Sequence, residues 1–249
     1  MYAELHCHSY YSFHDGASSL EELMVRAKEL GYRALAVTDH DNLCGAMRFA
    51  QLAKSLEIQG IIGAEVTLNG GHHLTLLVKD RQGYGNLCRL ITAAQNTGER
   101  NDPRLSPSLF AEHSSGLIAL SGCPLGELSQ LIVKSRYAEA KDLVRQYLDW
   151  FGPENYFIEL QHNLAPGDTE RNRRLVALAK ETGVKVVATG NVHYHVRERH
   201  QLQDCLVAIK NCQSLEETHR ERRANSEYYL RPVEEFELLF RECPEALEN

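Results

Sequence analysis

Nine side chains able to bind a transition-metal ion recur beside short apolar runs of this sequence. The opening stretch, YAELHCHSYYSFHDG, sets His6 and His8 two residues apart, and Asp15 follows in the same loop. Alternate residues of a strand share a face, so such a pair projects two imidazoles side by side. The run ALAVT leads into Thr38-Asp39-His40, and IIGAEVTL carries Glu65. LIALS ends in Ser121-Gly122-Cys123, and VKVVAT is followed by Asn191 and His193. His73 stands instead at the start of its run, behind Gly70-Gly71. Taken singly, each residue has a plainer reading: a loop histidine, an edge-strand carboxylate, or a small buried thiol. Joint occurrence outweighs these, because five of the seven apolar runs lead into a His, Glu or Cys. Mixed imidazole, carboxylate and thiol donors suit zinc and other borderline ions, not calcium. Nine donors exceed the needs of one tetrahedral ion, so their convergence implies a multinuclear centre. Ions about 3.5–4 Å apart lower the pKa of a bridging water and clamp a phosphoryl oxygen. No Ser–His or Cys–His nucleophile pair is visible.

The elements that must position these residues alternate. Strand-like runs lie at 2–6, 34–38, 61–68, 73–78, 117–121, 156–160 and 184–189. Helical periodicity fills most of the intervals, at 20–30, 42–56, 83–96, 135–151, 169–182, 197–210 and 232–241. Ser18-Ser19 followed by Glu21-Glu22 reads as an N-cap, Gly31 as the stop of that helix, and Asp41 as the cap of the helix from Asn42. Gly70-Gly71 between two strand runs predicts a hairpin, hence one antiparallel connection. The stretch NTGERNDPRLSPS, 96–108, is the longest loop-like segment. Seven strands alternating with helices over 249 residues predict an α/β fold, a distorted (β/α)7 TIM-like barrel. Chemistry in such barrels gathers at the C-terminal ends of the strands. The rival, an open doubly wound sheet, lacks its glycine-rich phosphate fingerprint here.

Bulk properties narrow the function. No apolar run is long enough to span a bilayer, and no basic-then-apolar leader opens the chain, so a cytoplasmic protein with no membrane partner is expected. Seven scattered cysteines without C-x-x-C spacing read as reduced thiols. A net charge of −7 argues against a free-standing, high-affinity nucleic-acid binder, whose footprint is normally basic. It leaves room for a domain that borrows DNA affinity from a larger protein.

The motifs HCHSYYSFHDGAS, ALAVTDHDNLCGAMRFA, GAEV, HLTLLVKD, LSGCPLGEL and VVATGNVHYH together resemble those of the PHP (polymerase and histidinol phosphatase) domain. They look most like the version that opens the alpha subunit of bacterial C-family DNA polymerases, the error-prone branch above all. The tail EYYLRPVEEFELLFRECPEALEN resembles the link toward the polymerase palm. The resemblance implies a PHP barrel over 1–225 and a helical extension over 226–249. It implies up to three divalent ions, zinc or manganese first, with iron or magnesium as further candidates. The first ion would take His6, His8, Glu65 and Asn191; the second Glu65, His73 and Cys123; the third Asp15, His40 and His193. Many members carry Asp where this chain has Asn191, and an amide keeps a carbonyl donor but loses the charge. His14, His72, His162 and His195 match no ligand position, with His162 nearest to the expected pocket. Arg197 and Arg199 are read as helix-surface charges that could also meet phosphates. The implied activity is a phosphoesterase, a 3′–5′ exonuclease that hydrolyses phosphodiesters at a DNA 3′ end by a metal-bound hydroxide. Its implied partners are the remainder of a DNA polymerase and replication or repair factors. Two rival readings are an inactive domain that stabilises the polymerase and a free-standing phosphomonoesterase of the histidinol phosphatase type. Residues up to Asn249 supply no palm carboxylates, so polymerisation by them is not expected.

Overall fold

The structure is a computed structural model that describes residues 2–97 and 102–249. Seven strands, β1 (Ala3–Glu4), β2 (Ala34–Val37), β3 (Gln59–Thr67), β4 (His73–Val78), β5 (Leu117–Leu120), β6 (Tyr156–Gln161) and β7 (Val186–Thr189), pair in sequence order. All neighbours run parallel except β4, which is antiparallel to both β3 and β5. Beyond the ends of β1 and β7 the two chains meet: the His8 N–H donates to the Val192 carbonyl at 2.7 Å, and the Val192 N–H to that of His6 at 2.9 Å. The sheet thus curls round into a distorted TIM-like barrel, as the alternation predicts.

Helices α1 (Leu20–Glu29), α2 (Ala46–Leu56), α3 (Arg81–Thr97), α4 (Phe110–His113), α5 (Glu127–Val133), α6 (Tyr137–Phe151), α7 (Asp168–Thr182) and α8 (His200–Asn211) lie along the connections. The helix α1 shows why these segments fold as they do. Ser19 caps it in a full capping box with Glu22, and Leu20, Leu23, Met24 and Ala27 recur at helical spacing and are buried. Gly31, at φ +69°, then takes the left-handed turn that ends it. The short helices α4 and α5 carry no periodicity long enough to be read from sequence. Of the loop-like stretch 96–108, residues 98–101 lie outside the described residues, while Leu105 is buried beside Leu68.

Asp41 requires a correction. The helix α2 starts at Ala46 with Gly45 at its cap, and Asp41 instead accepts from the Thr67 N–H and hydroxyl, both at 2.7 Å. Its φ of +51° points the side chain back over β3, a conformation Asp tolerates because its short polar group bonds locally. Residues 226–249 add α9 (Val233–Leu239) and α10 (Glu245–Glu248). Phe236 stacks on Tyr2 at 4.5 Å and, with Phe240, Cys243 and Ala246, joins the main hydrophobic core.

The barrel interior is graded. Ala36, Leu77, Leu120 and Val187 form an apolar cluster of their own, with Ile61 and Phe157 against it. Two or four residues nearer the mouth, on the same strand faces, stand Thr75, Glu159, Gln161, Thr189 and Glu65, all buried. An apolar floor therefore carries a polar upper layer. Because β4 runs in reverse, its first residue, His73, opens at the mouth where the other strands end.

Candidate metal centre

Glu65 lies at the centre of this layer, 1% exposed. Its Oε1 is 3.3 Å from His6 Nε2, and its Oε2 is 3.1 Å from both His40 Nδ1 and His73 Nδ1. His8 Nε2 lies 3.1 Å from His6 Nε2 and 3.7 Å from Glu65 Oε2. Cys123 Sγ is 3.6 Å from His73 Nδ1. Gly122, at φ +90°, brings the cysteine there: a Cβ on it would sit 2.4 Å from the His73 carbonyl oxygen. On the other side His40 Nε2 reaches Asp15 Oδ2 at 2.9 Å, and His193 Nδ1 lies 3.4 Å from the same oxygen. The rings of His40 and His193 each stack on His8 at 4.4 Å. Eight of the nine expected ligands thus share one mouth in a continuous chain of contacts. The ninth, Asn191, is there too, but its carbonyl oxygen lies 3.0 Å from His193 Nε2.

The charges follow from these contacts. Burial pushes the Glu65 carboxyl up, but His73 and His6 outweigh it and hold it well below the usual carboxylate range. Burial likewise works to discharge His6, and Glu159 and Glu65 overcome it, raising the imidazole to about 10. For His8, burial and the neighbouring His40 and His193 act together and keep the ring neutral. His193 is kept neutral by burial and by Arg223. Burial, then Glu65, pushes the Cys123 thiol up.

Supporting residues fix which nitrogen faces inward. His6 Nδ1 donates to Glu159 Oε1 at 2.7 Å, which turns Nε2 toward Glu65. The Ser12 hydroxyl donates to Asp39 at 2.7 Å and so accepts from His8 Nδ1 at 3.2 Å, leaving the His8 Nε2 lone pair pointing at the cluster. His193 places Nε2 3.0 Å from the Asn191 side-chain oxygen and Nδ1 3.4 Å from Asp15 Oδ2, so both ring nitrogens face polar partners. Asn191 sits at φ +48°, a left-handed turn that Asn tolerates well.

Metal ions fit this donor set. Two nitrogen or oxygen donors about 2.1 Å from one ion lie about 3.0–3.4 Å apart, and a nitrogen and a thiolate about 3.6 Å apart. The spacings 3.1, 3.3, 3.4 and 3.6 Å given above fall on those values, and the 2.9 Å between His40 and Asp15 lies just below them. Glu65 Oε1 is also buried with no hydrogen-bond partner, a costly state that a cation would relieve. His6 Nε2 and His8 Nε2, 3.1 Å apart, require a proton or a metal between them.

A model of the PHP domain matches residues 4–163 of this sequence, well over half of its length. The chain belongs to the PHP domain family. This PHP chain is 42% identical over 264 aligned residues to the error-prone DNA polymerase of Symbiobacterium thermophilum, all of the chain matching 24% of that protein. It is 36% identical to the DNA polymerase III subunit alpha of Treponema pallidum, again over the whole chain and 22% of the relative. The PHP chain therefore spans about a quarter of the length of the curated relatives it matches. A crystal structure from Bifidobacterium adolescentis, provisionally named a metal-dependent phosphoesterase, superposes with a TM-score of 0.53 at 15% identity. The match covers 77% of this chain and 87% of that one and shows a shared fold.

One expectation about the site is corrected. His162 does not reach the centre; it bonds Thr169 and lines a cavity of about 320 Å³ with Val176 and Phe240, because it lies past the inward-facing Gln161. Arg197 pairs with Glu227 and Tyr229, and Arg199 with Glu22, at the surface, in keeping with their reading as surface charges, and neither guanidinium is free at the mouth. Glu159, Asp39, Ser12 and Arg223 were not singled out from sequence. A Glu in the run YFIELQ is a usable signal, since a carboxylate between apolar strand residues needs a buried partner.

All seven cysteines are free, and no helix among the described residues is long and apolar enough to cross a membrane.

Proposed function

We propose that this chain is a divalent-metal phosphoesterase domain that hydrolyses phosphodiesters at a DNA 3′ end, as a 3′–5′ exonuclease. It would act within a cytoplasmic error-prone DNA polymerase III alpha-type protein, with residues 226–249 leading toward the polymerase palm. The observation that carries this reading is Glu65, buried at the barrel mouth with one oxygen toward His6 and the other toward His40 and His73. His6, His8 and Glu65 would hold one ion, Glu65 with His73 and Cys123 a second, and Asp15, His40 and His193 a third. Zinc or manganese suits these donors best, with iron or magnesium next. When bound, such ions supply an acidified water and neutralise phosphoryl charge. The protein's share is preorganisation. Glu159 and the Ser12–Asp39 pair hold His6 and His8 in the tautomer that exposes Nε2, and burial keeps water from competing for Glu65. The relatives' names support the polymerase setting.

The purified chain, loaded with Mn²⁺ or Zn²⁺, is mixed with a 3′-labelled single-stranded oligonucleotide. Release of labelled mononucleotide that disappears in the His8→Ala, His193→Ala double variant supports the reading. No release by protein shown to hold metal leaves the domain structural. Turnover of histidinol phosphate but not of DNA moves it to the phosphomonoesterases.

A further inference from the structure

Arg223 enters the mouth from the irregular segment that follows α8. Its Nη2 lies 3.1 and 3.3 Å from the two Asp15 carboxylate oxygens, 2.6 Å from His193 Nε2 and 3.1 Å from His193 Nδ1. The guanidinium rests over the Tyr228 ring at 4.5 Å, and its Nε is buried without a hydrogen-bond partner. Its neighbour Arg222 behaves differently and pairs with Asp204, away from the centre.

These contacts coincide with the donor atoms of the outer ligand group. Arg223 Nη2 approaches both ring nitrogens of His193, and a neutral imidazole has one lone pair to offer. A single lone pair cannot accept a guanidinium N–H and bind a cation at once. The Asp15 oxygens are contested in the same way, and a guanidinium within hydrogen-bond distance of them would repel a dication held there. The Glu65 groups have no such competitor among the described residues: their neighbours are imidazoles and the Cys123 thiol.

We propose that Arg223 is a tethered counter-cation for the Asp15–His193 half of the centre. It neutralises these ligands when they hold no ion and must swing off them before an ion binds. The consequence is an unequal centre, with the outer ion bound more weakly and more reversibly than the two at Glu65. This inference rests on the metal reading of Asp15, His40 and His193.

The test is equilibrium dialysis of the full chain against graded Mn²⁺, with bound metal counted by elemental analysis and melting followed with and without chelator. Arg223→Gln should tighten the weakest Mn²⁺ site at least tenfold and leave the tighter sites unchanged. The same variant without metal should melt below the metal-free wild type. Arg223→Lys and Arg222→Gln should stay close to wild type in Mn²⁺ affinity. Tyr228→Leu removes the ring beneath the guanidinium with every ligand kept, and should shift the weak site in the same direction. Unchanged or weakened Mn²⁺ binding in both Arg223→Gln and Tyr228→Leu overturns the proposal while the metal reading stands. A wild-type chain that binds no Mn²⁺ at any concentration removes the metal reading itself, and this inference with it.

Discussion

Replacing Glu65 with Gln should empty two metal positions at once. Among the described residues the carboxylate is the only side chain whose two oxygens face different groups of imidazoles, His6 through Oε1 and His40 and His73 through Oε2. At the 3.1 Å separation seen to His40, whose imidazole is raised to about 10, two unit charges in a medium of effective dielectric about 20 attract by about 5 kcal/mol. Removing one member of such a buried pair costs about 3–5 kcal/mol, since the other is left unpaired. The metal-free Glu65→Gln protein should therefore lose about that much stability in urea unfolding at pH 7. A dication feels the lost charge more strongly than an imidazolium, so each affected ion should bind at least about a hundredfold more weakly, which corresponds to about 2.7 kcal/mol. The assay is metal content after dialysis at fixed free Zn²⁺, wild type beside variant. Loss of two ions together, with an Asp15→Asn protein losing only one, matches the bridging geometry. A Glu65→Gln protein that keeps its full complement, or loses a single ion, refutes it.

Three further expectations follow from neighbouring contacts. Glu159→Gln removes the carboxylate that accepts from His6 Nδ1 and should weaken the His6 ion by about 10–100-fold in a competition titration, without touching the Asp15 group; an unchanged affinity would show that Glu159 serves folding alone. Asn191→Asp places a charge beside His193 Nε2 and should raise metal content per chain, whereas unchanged stoichiometry counts against the account of that position. Glu4, buried under the His6 and Gly190 amides, is pushed up to about 7 by burial from an ordinary value near 4.5. Its folded pKa lies above the unfolded one, so its contribution is complete below about 4.5 and is lost as pH rises through 7. The stability of metal-free wild type relative to Glu4→Gln should fall by about 2–3 kcal/mol between pH 5 and pH 9 in chelator; a flat difference would contradict the burial argument.

The ligands were legible because strand order and strand polarity do most of the convergence. His6, His40, Cys123 and His193 each follow or end an apolar run, Glu65 lies in the second half of one, and a barrel of parallel strands carries such positions to one mouth. His73 broke that rule in sequence and obeys it in space, because the Gly70-Gly71 turn reverses β4. What stayed hidden depends on which face a residue takes. Glu159 looks like any carboxylate in a strand until the register with β7 turns it inward beside Gln161 and Thr189. His162, one residue past Gln161, takes the opposite face and leaves the centre. Arg223 comes from a segment with no periodicity, so only the fold reveals that it spans 208 positions to reach Asp15. Asp41 looked like a helix cap because Asn42 follows, yet α2 begins four residues later and Thr67 takes the carboxylate.

Anomalous diffraction from crystals of the full chain grown with excess Zn²⁺ or Mn²⁺ addresses the shared centre most directly. The account predicts peaks on both sides of Glu65, one within bonding distance of His6 and His8 and one of His73 and Cys123. Crystals saturated with metal that show no peak at Glu65 would contradict it.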